Sequence, residues 1–191
     1  MKAYFNYALL SMFTRHRLRP NTKEMAQEML SRIKSKFIEN LKNVHWINED
    51  TRSHWMKNVL ETEDFIAYPN LTVNPDKLEN YYKELVIDDS DYLGNRIRLS
   101  QFHQKLAVQI SNDDDELHDN KQWGEFGNLF EANAAYAMGF NLIIIPVGIL
   151  QRPFFDPSFP RSVNYGAVGS VLGHELLHGF IDVGKEWKGV M

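Results

Sequence analysis

The sequence has no cysteine, no block of basic residues and no long hydrophobic run. Without cysteine, neither a disulfide framework nor thiol chemistry is open to these 191 residues. Acidic residues outnumber basic ones, 25 to 21, for a net charge of −4, so we expect no nucleic-acid partner. The longest uncharged apolar run, NLIIIPVGIL at residues 141–150, is far too short to cross a bilayer, so we expect no membrane contact from this segment.

Apolar residues make up 43% of the chain, which is enough for a sizeable core in one or two domains. The first residues, MKAYFNYALLSMF, resemble a signal peptide, but Asn6 interrupts the apolar stretch and TRHRLRP follows where a cleavage site should lie. We therefore predict an amphipathic helix here and no signal peptide. The triplet NLT at residues 70–72 is an N-glycosylation sequon with Asn70 as acceptor, which matters only in a secretory pathway.

Helical patterns dominate residues 1–110. Asn21 precedes an apolar stripe of period four and, with a glutamate three residues later, resembles a capping box. Asp50 can cap another helix, and Asn74 followed by a proline is a typical helix start. These stripes predict helices that face a core, and we assign them no chemistry.

The composition changes sharply at residues 111–128, SNDDDELHDNKQWGEFGN. The spacing of a calcium-binding loop is not met, so a solvated linker is the better interpretation. We therefore predict a helical domain at residues 1–118 and a second domain at residues 119–191. In the second domain, FEANAAY and NLIIIP predict two strands joined by a turn, with Gly139 available for a positive φ and Pro146 ending the second strand.

The stretch VLGHELLHGF, residues 171–180, carries two histidines one helical turn apart. On an α-helix His174 and His178 project from one face, and Glu175 directly follows the first. This is the H-E-x-x-H pattern, in which two histidines bind Zn²⁺ and the glutamate is the general base for the water that the metal activates. The structural alternative is an ordinary buried helix, but a buried glutamate without a partner is costly. We therefore predict a single Zn²⁺ as cofactor.

Residues 141–155 and 163–180, NLIIIPVGILQRPFF and VNYGAVGSVLGHELLHGF, resemble the signatures of the neprilysin family of zinc metalloendopeptidases, which includes the endothelin-converting enzymes. The similarity is dense over residues 131–182. It extends more loosely to FIENLKNVHWINEDTRSHWMKN and IAYPN in the helical region. The resemblance thus covers most of the chain.

The resemblance implies a role for several individual residues. His174 and His178 match the zinc-binding histidines of the family, and Glu175 matches its catalytic base. Asn133 and Ala134 match an Asn-Ala pair that holds the substrate backbone in an extended conformation.

Two features near the end of the chain depart from the family pattern. Asp182 matches one residue of an acidic pair that could orient a ligand histidine, whereas Ile181 replaces the other. The family's third zinc ligand is a glutamate in an E-x-x-x-D motif on a later helix, and a histidine that stabilises the oxyanion lies later still. The sequence to Met191 contains neither, although catalytic zinc needs three protein ligands.

The resemblance implies a fold that is mainly α with a small β-hairpin, comprising part of a helical lobe and the start of a thermolysin-like catalytic lobe. It implies a zinc endopeptidase acting on oligopeptides, in an extracellular or plasma-membrane ectodomain setting. We expect the 191-residue chain alone to be a truncated fragment with at most a trace of peptidase activity. The alternatives are a module that only binds peptides or a partner, and a remnant without a stable fold.

Overall fold

The computed structural model describes residues 5–111 and 129–181. The predicted domain boundary at residues 118 and 119 lies outside these ranges and stays a prediction, and Asp182 also lies outside them. None of the helices within the described ranges is long and apolar enough to span a membrane. In chain order the helices and strands are α1 (Asn6–His16), α2 (Thr22–Lys42), α3 (Glu49–Glu61), β1 (Glu63–Ala67), α4 (Pro75–Tyr82), α5 (Tyr92–Ser111), β2 (Ala135–Ala137), β3 (Leu142–Pro146), α6 (Arg161–Gly166) and α7 (Val168–Ile181).

The chain divides into two compact units, and each is built from two separate stretches of sequence. The first unit takes in Met1–Arg17 and Pro69–Leu129. Its described helices are α1, α4 and α5, and a short 3₁₀ turn at Asn70–Thr72 precedes α4. Its interior combines buried leucines with a cluster of contacting aromatic rings. Burial raises the pKa of the Tyr81 hydroxyl in this cluster because the charged phenolate is poorly solvated there, and the ring contacts join Tyr7, Tyr81, Tyr82 and Phe102.

The second unit takes in Leu18–Tyr68 and Phe130–Met191 and contains a three-stranded sheet in the order β1-β3-β2. The antiparallel pairing of β2 with β3, with Tyr136 opposite Ile143, confirms the predicted hairpin. Strand β1 was not predicted, because residues 1–110 were expected to be helical throughout. It pairs in parallel with β3, with Phe65 opposite Ile144, and makes β3 the fully buried central strand.

The predicted turn residue of the hairpin is wrong. Asn141, and not Gly139, adopts the left-handed conformation, with φ of 47°. Asparagine tolerates this region because its short polar side chain can hydrogen-bond locally. Pro146 does end β3, as predicted.

The helix starts were predicted with mixed success. The Asn74 side chain accepts a hydrogen bond from the amide of Lys77 at 3.1 Å and caps α4, which confirms the sequence signal. Helix α3 is capped by Asn48, and not by Asp50, which lies inside the first turn. Asn21 is left-handed and makes no side-chain cap at the start of α2, so the predicted capping box is wrong.

One hydrophobic core fills the second unit between the sheet and helices α2, α3 and α7. Two lysines of α2 fasten that helix to the ends of β1. Lys34 donates to the carbonyl of Thr62 at 2.8 Å, and Lys23 donates to that of Tyr68 at 2.7 Å. The fully buried aliphatic members of the core include Leu30, Val59, Ile66, Ile143, Ile145, Val168, Leu172 and Leu176.

Candidate functional site

The H-E-x-x-H stretch lies on α7, which spans Val168–Ile181. The residues of the motif are thus helical, as the spacing of the two histidines indicated. The helix is not buried all round. Leu172 and Leu176 are fully buried in the core, whereas His174 and Leu177 are exposed on the opposite face. The histidine-bearing face of α7 is therefore open, while the opposite face anchors the helix in the core.

The two histidines approach each other closely on this open face. Their Nε2 atoms are 3.1 Å apart, and the rings are nearly perpendicular, with centroids separated by 4.6 Å. Two nitrogens bound tetrahedrally to one Zn²⁺ at about 2.0–2.1 Å are about 3.3–3.4 Å apart. The donor pair therefore fits a single zinc ion held between the two Nε2 atoms.

Glu175 is a charged residue of α7 that is shielded from solvent. Its residue is only 6% exposed, and none of the other residues within 5–111 and 129–181 donates a hydrogen bond to its carboxylate. Burial raises the pKa of this carboxyl, and the charges of His178 and His174 partly offset that effect. A carboxylate placed here beside two imidazoles suits proton transfer to or from a group bound between them.

Among residues 5–111 and 129–181, no third candidate metal ligand lies beside the two histidines. Within the residues that the structure describes, no group of three or more His, Cys, Asp or Glu side chains is arranged to hold a metal ion. The donor set consists of His174 and His178, and Asp182, the predicted partner of a ligand histidine, lies outside the described ranges.

Asn133 and Ala134 directly precede the edge strand β2, which packs against α7. Asn133 is exposed, whereas Ala134 is 7% exposed and belongs to the hydrophobic core. The sequence predicted Asn133 on the edge strand itself, and the structure places it two residues before that strand. The pair thus lies at the end of the strand that flanks the histidine-bearing helix.

A loop at residues 151–160, in which Phe155 and Asp156 are buried, holds the start of α7 through hydrogen bonds that the sequence did not reveal. Val168, the first residue of α7, donates its amide to the carbonyl of Phe154 at 3.2 Å. The side chain of Asn164 is 1% exposed; it accepts from the amide of Asp156 at 3.1 Å and donates to its carbonyl at 2.9 Å. This amide-to-backbone pairing fixes the loop against the segment that leads into α7.

The carboxylate of Asp156 is the charged centre of this loop and is only 2% exposed. Its Oδ1 accepts from the hydroxyl of Ser158 at 2.6 Å and from the Ser158 amide at 2.8 Å, and Arg152 Nε lies 2.5 Å from its Oδ2. Arg19 adds an ion pair at 3.3 Å. The Ser158 hydrogen bonds and the Arg152 guanidinium hold the pKa of Asp156 well below its usual range.

A second polar cluster that sequence analysis missed joins the far end of α7 to the hairpin, and we call it the Asn58 cluster. Asn58 Nδ2 donates to the carbonyl of Gly179 at 3.0 Å. The hydroxyl of Tyr136 donates to Asn141 Oδ1 at 2.8 Å, and Asn141 Nδ2 donates to the carbonyl of Asn58 at 3.1 Å. No pattern in the sequence could have revealed it, because its members come from α3, β2, the hairpin turn and α7.

Comparisons with known proteins agree with this arrangement. A sequence model of Peptidase family M13 matches residues 133–190, and a second model of the same family matches residues 1–69. An endothelin-converting enzyme homolog from Locusta migratoria is 36% identical over 181 residues, which cover 95% of this chain and 24% of that protein. Human neprilysin is 32% identical over 168 residues, which cover 87% of this chain and 22% of that protein.

A similar solved structure is that of the zinc metalloprotease Zmp1 of Mycobacterium tuberculosis in its open state. It matches with a TM-score of 0.76 at 26% identity, over 96% of this chain and 26% of that chain. The predicted fold class, mostly helical with a small sheet and part of a larger peptidase architecture, is thereby confirmed. The chain spans about a quarter of the length of the relatives it matches.

Proposed function

The chain belongs to peptidase family M13, the family of neprilysin and the endothelin-converting enzymes, and from that premise we propose that it forms part of a zinc-dependent endopeptidase acting on oligopeptides. The observation that carries the proposal is the 3.1 Å separation of the His174 and His178 Nε2 atoms on the open face of α7. The buried carboxylate of Glu175 beside them supports the same chemistry.

Each residue of the α7 face has a distinct role in this proposal. His174 and His178 would hold the metal through Nε2. When bound, Zn²⁺ lowers the pKa of a coordinated water and polarises a carbonyl. Glu175 would accept a proton from the attacking water at its carboxylate and return it to the leaving amine.

Asn133 and Ala134 would align the substrate. Strand β2 lies at the edge of the sheet beside α7, and an extended peptide can add to a sheet edge through main-chain hydrogen bonds. The exposed Asn133 side chain is available to hydrogen-bond a peptide backbone, whereas the buried Ala134 holds the strand in the core. We also propose that Asp182 orients one ligand histidine.

The decisive experiment is zinc binding to the purified 191-residue chain, measured by competition with a chromophoric chelator. We expect up to one Zn²⁺ per chain, lost in His174→Ala and in His178→Ala and retained in Glu175→Gln. His45→Ala is the matched control, because His45 is exposed and lies outside α7. Zinc binding that survives both α7 histidine substitutions would contradict the proposed site.

Hydrolysis of a fluorogenic peptide separates a peptidase from the alternative module that only binds peptides. The 191 residues contain no E-x-x-x-D motif after α7. With added zinc, we therefore expect this polypeptide to hydrolyse the peptide at no more than a trace rate above that of the Glu175→Gln control. Loss of a ligand removes the fixed coordination on which zinc catalysis depends. Turnover well above the control would show that another residue completes the site.

We further propose an extracellular or plasma-membrane ectodomain setting for the whole protein. Asn70 of the NLT sequon is exposed, at the start of the 3₁₀ turn Asn70–Thr72, so folding leaves room for a glycan at its side chain. Expression through a secretory pathway should give a glycosidase-sensitive mass shift that Asn70→Gln abolishes. An unmodified Asn70 in secreted material would remove the sequon's support for this setting.

A further inference from the structure

The Asn58 cluster connects the two parts of the candidate site that must be correctly spaced. Gly179 follows His178 directly on α7, and Tyr136 lies on β2, two residues after Ala134. Between them, Asn58 donates to the Gly179 carbonyl at 3.0 Å. Burial raises the pKa of the Tyr136 hydroxyl, and the nearby Asn58 side chain partly offsets this effect.

Gly179 allows a close approach of the Tyr136 side chain that a Cβ at this position would crowd. A Cβ built at this position would lie 2.9 Å from the Tyr136 hydroxyl oxygen and 3.1 Å from the ring carbon that bears it. A glycine inside a helix is otherwise a cost of roughly 0.5–1 kcal/mol relative to alanine. The helix therefore carries a poorer helix former at a residue against which the Tyr136 side chain packs.

Asn141 holds the other side of the cluster. Its backbone is left-handed, with φ of 47°, and its Oδ1 lies 2.8 Å from the Tyr136 hydroxyl and 2.9 Å from that of Thr62. Its Nδ2 donates to the Asn58 carbonyl. The Asn141 side chain thus links the hairpin turn to the end of α3. Asn58 of α3 in turn donates a hydrogen bond to Gly179 of α7.

From these contacts we propose that Asn58, Tyr136, Asn141 and Gly179 are positioning residues, which set the spacing between the substrate strand β2 and the metal-binding face of α7. This inference rests on the proposed function for its meaning in catalysis. It deepens that function, because it names the residues that hold the peptide-aligning strand at the correct distance from the two histidines.

The test compares two glycines of the same helix. Gly179→Ala introduces the clash with Tyr136, whereas Gly173→Ala, the matched control, places its Cβ in open space. We expect Gly179→Ala to weaken zinc binding about tenfold, the lower range for loss of a supporting contact. Gly173→Ala should leave the zinc affinity within about twofold of wild type. Adding Tyr136→Phe to Gly179→Ala removes the 2.9 Å contact and should restore part of the lost affinity.

Hydrogen exchange of the metal-free chain provides a readout that does not depend on zinc. Gly179→Ala and Asn58→Ala should each speed exchange in residues 177–180 and in β2 together, while the pairing of β1 with β3 keeps its protection. Asn58→Ala also serves as the second variant if Gly179→Ala fails to fold. Val59→Ala controls for general destabilisation, because Val59 is 1% exposed in the adjacent position of α3.

The outcomes separate this inference from the proposed function. If wild-type chain binds no zinc but the coupled exchange appears, the zinc site is wrong and the linkage of β2 to α7 stands. If Gly179→Ala behaves like Gly173→Ala in both measurements, the inference is overturned. It is equally overturned if Val59→Ala reproduces the coupled change, since the effect would then be a general loss of stability.

Discussion

The two faces of α7 differ in what they contribute to the molecule. One face carries Leu172 and Leu176, both fully buried in the core of the second unit. The other carries His174 and Leu177, both exposed, with His178 half-buried beside them. Within one helix, therefore, the buried face supplies the stability and the open face carries the two histidines that we propose as metal ligands.

This division of α7 into two faces bears on how the two imidazoles are held close together. The two Nε2 atoms lie 3.1 Å apart, within hydrogen-bond distance of each other, because i, i+4 side chains are neighbours on a helix, and a fixed backbone limits how far the two rings can separate. The leucines on the reverse face, the Phe154 carbonyl at the start of α7 and the Asn58 side chain near its end all restrict that backbone. Site geometry is thus a consequence of packing elsewhere on the helix.

The difference between the two faces of α7 is tested most directly by a substitution on the buried face. Leu176→Ala leaves a cavity between α7 and the sheet, and such substitutions typically cost about 2–5 kcal/mol of unfolding free energy. Urea denaturation monitored by circular dichroism should show a midpoint far below that of wild type. Leu177→Ala, one residue along and 42% exposed, is the control and should change the midpoint little. Equal losses for the two leucines would contradict the assignment of faces.

The loop that seats the start of α7 should give a smaller and pH-dependent effect. The pKa of Asp156 is held low in the folded state, so its contribution to stability is present above the ordinary carboxyl pKa of about 3.9 and is lost as the pH falls through the lowered folded-state value. Asp156→Asn should therefore reduce the melting temperature at pH 7. The difference in melting temperature between this variant and wild type should become smaller at about pH 2–3.

A second aspartate provides the comparison for this pH experiment. Asp64 forms an ion pair with Lys34 at 3.0 Å and is 33% exposed, and exposed pairs contribute little. Asp64→Asn should shift the melting temperature less than Asp156→Asn at pH 7. If the melting-temperature difference between Asp156→Asn and wild type stays constant from neutral to strongly acidic solution, the charge of the Asp156 carboxylate is not what stabilises the loop.

The smallest effect on stability is expected on the open face. His174→Ala should change the unfolding free energy of the metal-free chain by no more than about 0.5 kcal/mol, because the side chain is exposed. Zinc should raise the melting temperature of wild-type chain, since a ligand that binds only the folded state stabilises it, and it should not do so for His174→Ala. A large loss of stability without zinc would show that this face also belongs to the core.

Local sequence signals sufficed for the parts of the site that lie on one element. The i, i+4 spacing of His174 and His178 determines a shared face on any α-helix, and the structure confirms that helix at Val168–Ile181. Asn74 before a proline indicated the start of α4, and the short apolar segments on either side of AMGF indicated the hairpin. In these cases the interacting groups are neighbours in sequence, so the pattern contains the whole interaction.

Only the tertiary structure decided the features whose partners are distant in sequence. Strand β1 at Glu63–Ala67 is too short to give a clear strand pattern among the helical patterns around it. It forms because its backbone pairs with that of β3. The left-handed Asn141 is held by hydrogen bonds of its side chain with Asn58, Thr62 and Tyr136. The lack of a side chain at Gly179 leaves room for the Tyr136 hydroxyl. Sequence spacing reports contacts within one element, whereas contacts between elements depend on how the chain closes its core.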